Sequence, residues 1–231
     1  GKYVPGKALV VVLRVGLVTG YGARPATAAF STLYETLVMM ASGGLVAALG
    51  FAIGPTRTVT LPVWGVGEVS VPLALLGLVP ALGFLTLTWP SVFPRLSKVM
   101  SLPFPGVGPD ALPYLRRRLL AEGLLWAVLG WLLAGLSLAA VVLGLGKPIA
   151  LSSLPVILAS VALATVSGFV GALAPGGLGV REWVLWTSLG AVMDHETAVL
   201  ASLALRLVWI VGEGLTAGVV GLLRPRIRSQ E

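Results

Sequence analysis

The sequence predicts an all-α, polytopic membrane helix bundle, and three observations lead to that class. Hydrophobic residues make up 57% of the 231 residues. Charged residues make up only 11%, whereas a soluble domain carries roughly 25%. The apolar residues also run continuously over long stretches, where a strand barrel would alternate in segments of about ten residues. The mean hydropathy of +0.98 fits lipid as the main solvent. The 30 glycines and 16 prolines are spread through the apolar runs, and membrane helices carry more of both than soluble helices do.

A spanning helix needs about 20 mostly apolar residues. Five segments meet that length: Ala28–Ile53, Val69–Trp89, Leu119–Leu145, Leu154–Leu173 and Ala198–Leu223. Two shorter segments, Ala8–Thr19 and Leu178–Met193, are broken by glycine, and each follows a Pro-Gly pair, Pro5-Gly6 or Pro175-Gly176. The expectation is a single transmembrane domain over residues 1–231, with five full spanning helices and two short Pro/Gly-broken ones. The chain opens on Gly1 and runs directly into Lys2-Tyr3-Val4-Pro5-Gly6-Lys7 without a signal peptide. It reads as a piece of a longer protein.

Basic residues collect at the ends of the apolar runs, so the net charge of +7 points to anionic lipid headgroups and not to nucleic acid. Residues 90–118 are hydrophilic and carry Arg95, Lys98 and Arg116-Arg117-Arg118. The tail Arg224-Pro225-Arg226-Ile227-Arg228 is also basic. The positive-inside rule places both in the cytoplasm, with residues 54–68 and 146–153 outside. If Leu178–Met193 crosses, the C-terminus is inside and Asp194-His195-Glu196 is external. If that segment is re-entrant, the tail lies outside. The charge rule favours crossing.

Sliding the chain by 170 positions superimposes the two Pro-Gly segments without a gap. Pro5-Gly6 falls on Pro175-Gly176, Gly20 on Gly190, Thr27-Ala28 on Thr197-Ala198, and Gly44-Leu45 on Gly214-Leu215. The predicted inverted repeat places one copy at about 1–89 and the other at about 119–231, with a cytoplasmic loop over 90–118. A helix broken inside a membrane exposes backbone groups that lipid cannot satisfy. Short, glycine- and proline-interrupted helices at matching positions of two halves therefore point to a central binding site. The plain alternative is that Pro-Gly marks two loops before two helices.

Charges inside the apolar runs supply the candidate site residues. Arg14 and Glu35 lie in the first copy, and Arg181, Glu182, Arg206 and Glu213 in the second. Intramembrane charges are costly and usually face a cavity or a partner. Arg206 and Glu213 are two helical turns apart and share a face. The turn Pro175-Gly176-Gly177-Leu178-Gly179 opens a short helix, so its free N–H groups and Arg181 make a seat for a phosphate or carboxylate. The structural alternative is that Arg181 pairs with a carboxylate such as Glu213 and only holds the fold together. Lys7 belongs to the first Pro-Gly element, where it either contacts substrate or snorkels to headgroups. Pro5, Gly6 and Pro175 are expected as hinges. The expectation is one polar chamber shared by the arginines and the bare peptide groups.

The same residues carry a resemblance. Lys2-Tyr3-Val4-Pro5-Gly6-Lys7 with Arg14, the element Pro175-Gly176-Gly177-Leu178-Gly179-Val180-Arg181-Glu182, and Arg206-Leu207-Val208-Trp209 followed by Gly212-Glu213 resemble three elements of the lysylphosphatidylglycerol synthase transmembrane-region family. The resemblance implies a flippase-like, multi-pass protein of the bacterial inner membrane. It also implies a lipid or lipid-linked substrate moved between leaflets. The chain departs from the family in two places. It lacks about two helices before the first element, and it has Glu35-Thr36 where the family commonly has Glu-Arg. The soluble aminoacyl-transferring domain is absent, so synthase activity is not implied.

No enzyme is expected. The chain has no cysteine and one histidine, His195, which argues against a zinc site and leaves no nucleophile–base set. No metal and no cofactor are expected. The second functional reading is a non-catalytic membrane partner of a glycosyltransferase or lipid-modifying synthase, and a second copy of the chain is a further candidate partner.

Overall fold

A computed structural model describes residues 7–20, 22, 24–55, 58–63, 67–101, 115–171 and 179–223. Among these residues the chain forms eight α-helices and one two-stranded antiparallel hairpin. The helices are α1 (Lys7–Thr19), α2 (Pro25–Ile53), α3 (Leu73–Thr88), α4 (Phe93–Ser101), α5 (Arg117–Gly144), α6 (Leu154–Val170), α7 (Val180–Leu189) and α8 (His195–Leu223). The strands are β1 (Thr58–Val63) and β2 (Gly67–Pro72). Helices α2, α5, α8 and the stretch Leu151–Val170 are long and apolar enough to cross a membrane. Helices α3 and α4 together make a fifth candidate span, bent by 74°. The helical class stands, and these helices suit a multi-pass membrane protein.

Two expectations change. The run Val69–Trp89, expected as one span, begins as β2. Thr58-Val59-Thr60-Leu61 and Glu68-Val69-Ser70-Val71 are rich in β-branched residues that alternate with other types, which is a strand pattern. They pair from Thr58 with Pro72 to Val63 with Gly67. Helix α3 is thereby cut to 16 residues, about 24 Å, short of a hydrocarbon layer of about 30 Å. Residues 90–118, expected as a loop, contain α4, which bends away from α3 at Trp89. Phe93 and Ser97 of α4 are buried, while Arg95 and Lys98 are exposed.

The packing fixes which turns share an end of the bundle. Lys147 in the α5–α6 turn lies 3.7 Å from Asp194 at the start of α8. A Cβ on Gly50 of α2 would meet the Pro155 carbonyl, and one on Gly54 would meet Val156. The end of α2 therefore lies beside the start of α6 and α8, at the end that carries the β-hairpin. At the other end, Tyr34 packs edge-on against Phe93 with ring centroids 4.9 Å apart, and Leu120 at the start of α5 joins them. This is the basic end, with Arg95, Lys98 and Arg116–Arg118. Helices α2 and α8 thus run in opposite directions.

The centre of the bundle is α2 against α3 and α6. The most apolar window of α2 is 61% buried, against 22% for α8. Close approach needs small residues, since no hydrophobic drive joins helices in lipid. A Cβ on Gly44 would lie 2.8 Å from Ala81 and from the Gly77 carbonyl, and a Cβ on Gly77 would lie 2.6 Å from the Ala48 nitrogen. Hydroxyls are satisfied within their own helices: Thr32, Thr36, Ser160 and Thr165 donate to carbonyls one turn back. Helix α5 is pinned to its neighbours by indoles. Trp131 Nε1 donates to the Met39 carbonyl at 3.0 Å and to Ser42 Oγ at 3.1 Å, and Trp209 Nε1 of α8 donates to Ser137 Oγ at 3.1 Å.

Asp194 caps α8. Its carboxylate accepts from the Thr197 backbone N–H at 2.9 Å and from the Thr197 hydroxyl at 2.7 Å. The hydroxyl and the backbone bond, with Lys147 nearby, hold its pKa below the ordinary aspartate value. A depressed carboxylate pKa contributes stability above the unfolded-state value, and that stability is lost as pH falls through the folded-state value. The thermal midpoint of Asp194→Asn should therefore lie below wild type at neutral pH. The two should converge as pH drops below the ordinary carboxylate range, and an unchanged gap at acid pH would refute the cap's electrostatic role.

Candidate functional site

Helices α1 and α2 form a hairpin, and so do α7 and α8, each a short helix followed by a long one. The long helices are both 29 residues, and both their bounds differ by the 170-position offset read from the sequence. The short helices end at Thr19 and Leu189, again offset by 170. Helix α1 is about 20 Å long and α7 about 15 Å, so neither fills a hydrocarbon layer of about 30 Å alone. The two hairpins therefore match in the length of their long helices and in the offset of their short-helix ends, and the long helices oppose each other in direction.

Among the described residues, an ion pair joins the two helices of each hairpin. In the first, Arg14 Nη1 donates to Glu35 Oε2 at 2.8 Å. In the second, Arg206 Nη1 donates to Glu182 Oε1 at 2.7 Å. The long-helix partner lies ten residues into α2 and eleven into α8, about 15 Å along either axis. The pairs differ in shelter. Arg14 and Glu35 side chains are 48% and 62% exposed, while Arg206 and Glu182 are 34% and 17% exposed. The second pair is the protected one, and breaking it on one side leaves a charge with little water.

Glu182 has a second task. Its Oε2 accepts from the Gly179 backbone N–H at 2.8 Å, so one of the N–H groups expected to seat a phosphate is occupied by the helix's own carboxylate. Gly179 sits at φ +84°, in the left-handed region that disfavours a side chain. Next to Glu182, the Arg181 guanidinium lies 4.7 Å from the ring centroid of Trp209, a cation–π contact. Trp209 is three residues from Arg206 and on the same face of α8, and its nitrogen is tied to α5 through Ser137. Arg181, Glu182, Arg206 and Trp209 thus form one polar junction where α7 meets α8.

Glu213 lies elsewhere on α8. It lines a shallow groove of about 690 Å³ with Trp209, Gly212 and Thr216. Lys7 opens α1, with its side chain outside the described residues, as are Pro5, Gly6, Pro175, Gly176 and Gly177. The structure brings Arg14 to Glu35 and Arg206 to Glu182, and sets Arg181 beside them. It does not draw the single shared chamber among the described residues. Helix α1 packs on α2, and α7 packs on α6 and α8, so each ion pair stays within its own hairpin.

Sequence reasoning gave Trp209 an interfacial or packing role and no function, and left Ser137 and Trp131 aside, although a tryptophan three residues from an intramembrane arginine places an aromatic face on the arginine's side. The cap by Glu182 was also legible, as an acidic residue three positions after the glycine that opens a helix. No family model, curated protein or solved structure matches the chain.

Proposed function

We propose that the chain is a flippase-like transporter that moves an anionic phospholipid or lipid-linked substrate between leaflets. In this reading the α1–α2 and α7–α8 hairpins are an inverted repeat. The observation that carries it is the pair of hairpins whose long helices match in length and oppose in direction, each holding an Arg–Glu pair about a third of the way along its long apolar helix. A sheltered ion pair is poor stabilisation compared with apolar packing, so the Arg206–Glu182 pair argues for use, and the more exposed Arg14–Glu35 pair lies at a similar depth of the other hairpin.

In this mechanism the phosphate of the headgroup displaces a carboxylate from Arg206 or Arg14, while the acyl chains stay in lipid. Glu35 and Glu182 hold the arginines in extended rotamers until the anion arrives. Arg181, stacked on Trp209, supplies a second cation beside Arg206, and Gly179 lets the α7 backbone approach closely. Lys7, Gly176, Gly177 and Glu213 complete the proposed set, with Pro5, Gly6 and Pro175 as hinges. The resemblance to the lysylphosphatidylglycerol synthase transmembrane-region family supports the substrate class and a bacterial inner-membrane location. The basic residues of one end support a cytoplasmic C-terminus, because α8 runs toward that end.

The test is leaflet exchange of labelled phospholipids and polyprenyl-linked lipids by purified protein in liposomes, with Arg181→Ala as the comparison. Exchange that falls at least tenfold in the variant supports transport, and no exchange of any lipid by the wild type refutes it. A second reading, a non-catalytic membrane partner of a glycosyltransferase or lipid-modifying enzyme, is favoured by the far half of α8. Residues 210–222 there are all exposed. Co-purification of such an enzyme with the chain, combined with no lipid exchange, would establish it.

A further inference from the structure

We infer that the groove on α8 seats one acyl chain of an anionic phospholipid, with the phosphate at Arg181 and Trp209 and the chain running toward the basic end. The inference rests on the transport reading for the use of the arginines, and adds the seat, the chain and its direction. The groove holds about 690 Å³ and follows two neighbouring rows of α8. Val208, Gly212, Thr216 and Val220 are spaced four apart and form one row, while Trp209 and Glu213 stand in the next. From Val208 to Val220 the groove extends about 18 Å. One leaflet's share of the hydrocarbon layer is about 15 Å, so the groove has the length of one acyl chain.

Trp209 joins the groove to the polar junction, because it belongs to both. The Arg181 guanidinium lies 4.7 Å from its ring centroid, and Arg206, held by Glu182, is one turn back along α8. Arg181 is in the first turn of α7, and α7 runs from there back toward the start of α8. Past Trp209, α7 therefore no longer lies beside α8, and residues 210–222 are all exposed. A Cβ on Gly212 would meet nothing within 4 Å. The floor of the groove is open to a methylene chain.

Charge complementarity sets the occupant and its direction. Two guanidiniums at the head of the groove draw an anion, and phosphate takes charge-assisted bonds from arginine. Glu213, one turn past Trp209, disfavours a second anion further down, and the valines there suit hydrocarbon. Inorganic phosphate alone leaves the length of the groove unused, and an uncharged lipid leaves the arginines unused. A phospholipid uses both. Held this way, its head points to the β-hairpin end and its tail to the basic end, which is the orientation of the leaflet at the β-hairpin end.

The test uses the full chain in phosphatidylcholine nanodiscs doped with phosphatidylglycerol that carries a photoreactive diazirine on one acyl chain. The diazirine is placed either near the glycerol or at the chain end, and labelled positions are read by peptide mass spectrometry. The first probe should label residues 208–213 and the second residues 216–220. Diacylglycerol with the same probes should label α8 roughly tenfold less, as should phosphatidylglycerol with Arg181→Gln. Gly212→Leu fills the floor and should also cut labelling roughly tenfold. Gly214→Leu, on the opposite side of α8 and equally unobstructed, should leave labelling unchanged. The reverse order of labels, equal labelling by diacylglycerol, or equal loss in both glycine variants would overturn the seat. So would no labelling of α8 by any lipid, the result expected if a partner helix covers this face. Leaflet exchange is read separately in liposomes. Exchange without ordered labelling sinks the seat alone, while ordered labelling without exchange supports the seat and refutes transport.

Discussion

Glu182→Ala is expected to cost about 2–4 kcal/mol of stability, because one carboxylate serves two partners on different elements. The substitution strips Arg206 of its ion pair and releases the Gly179 N–H at the opening of α7. The lower bound allows for water reaching Arg206, which is 34% exposed. In a chain of this size that corresponds to a drop of roughly 5–15 °C in the thermal midpoint, readable in detergent from intrinsic tryptophan fluorescence. Glu182→Gln should lose less than half as much, since its amide oxygen still accepts from Gly179 while facing Arg206 without charge. Arg14→Ala, at the more exposed pair, should fall within about 1 kcal/mol of wild type. A midpoint for Glu182→Ala within two degrees of wild type would refute the junction as a structural element.

Gly44→Val and Gly214→Val make the sharpest pair, because the two glycines are mates at the 170-position offset and sit in opposite surroundings. A Cβ on Gly44 would press on Ala81 and on the Gly77 backbone at 2.8 Å, while one on Gly214 would meet nothing within 4 Å. Backbone cannot yield as a flexible side chain can, so α2 and α3 would have to separate. The expected cost of Gly44→Val is about 3 kcal/mol or more, at the upper end for overpacking. Gly214→Val should stay within about 0.5 kcal/mol. Equal losses at both positions would mean that the far face of α8 is covered by another helix in the assembled protein, and size determination in mild detergent would identify that state.

The long elements were legible because apolar runs of spanning length leave few alternatives. Ala28–Ile53 and Ala198–Leu223 were each read to within three residues of α2 and α8. The offset of 170 found from a few Pro-Gly, Gly and Thr-Ala matches also relates both bounds of the long helices and the ends of the short ones, but not the short helices' starts. The β-hairpin was not legible in a reading by length. Val69 and Val71 continue an apolar run into α3, and only the intervening Ser70 betrays the two-residue period. Helix α4 was hidden for a related reason: its charges read as a loop, although Phe93 and Ser97 are four apart on one face. At the site, the sequence named the charged residues but not their partners. That Glu182 meets Arg206 depends on how α7 lies across α8, and no spacing within one helix encodes that.

The tryptophan pins on α5 set the mechanical character of the molecule. Trp131 ties α5 to α2 in one hairpin, and Ser137, six residues further on, receives Trp209 from the other. One rod therefore holds both hairpins. A hydrogen bond between membrane helices contributes only about 0.6 kcal/mol on average, close to thermal energy. The tie to α8 is a single such bond, the tie to α2 is two bonds added to the close α2–α3 and α2–α6 packing, and most hydroxyls stay satisfied within their own helices.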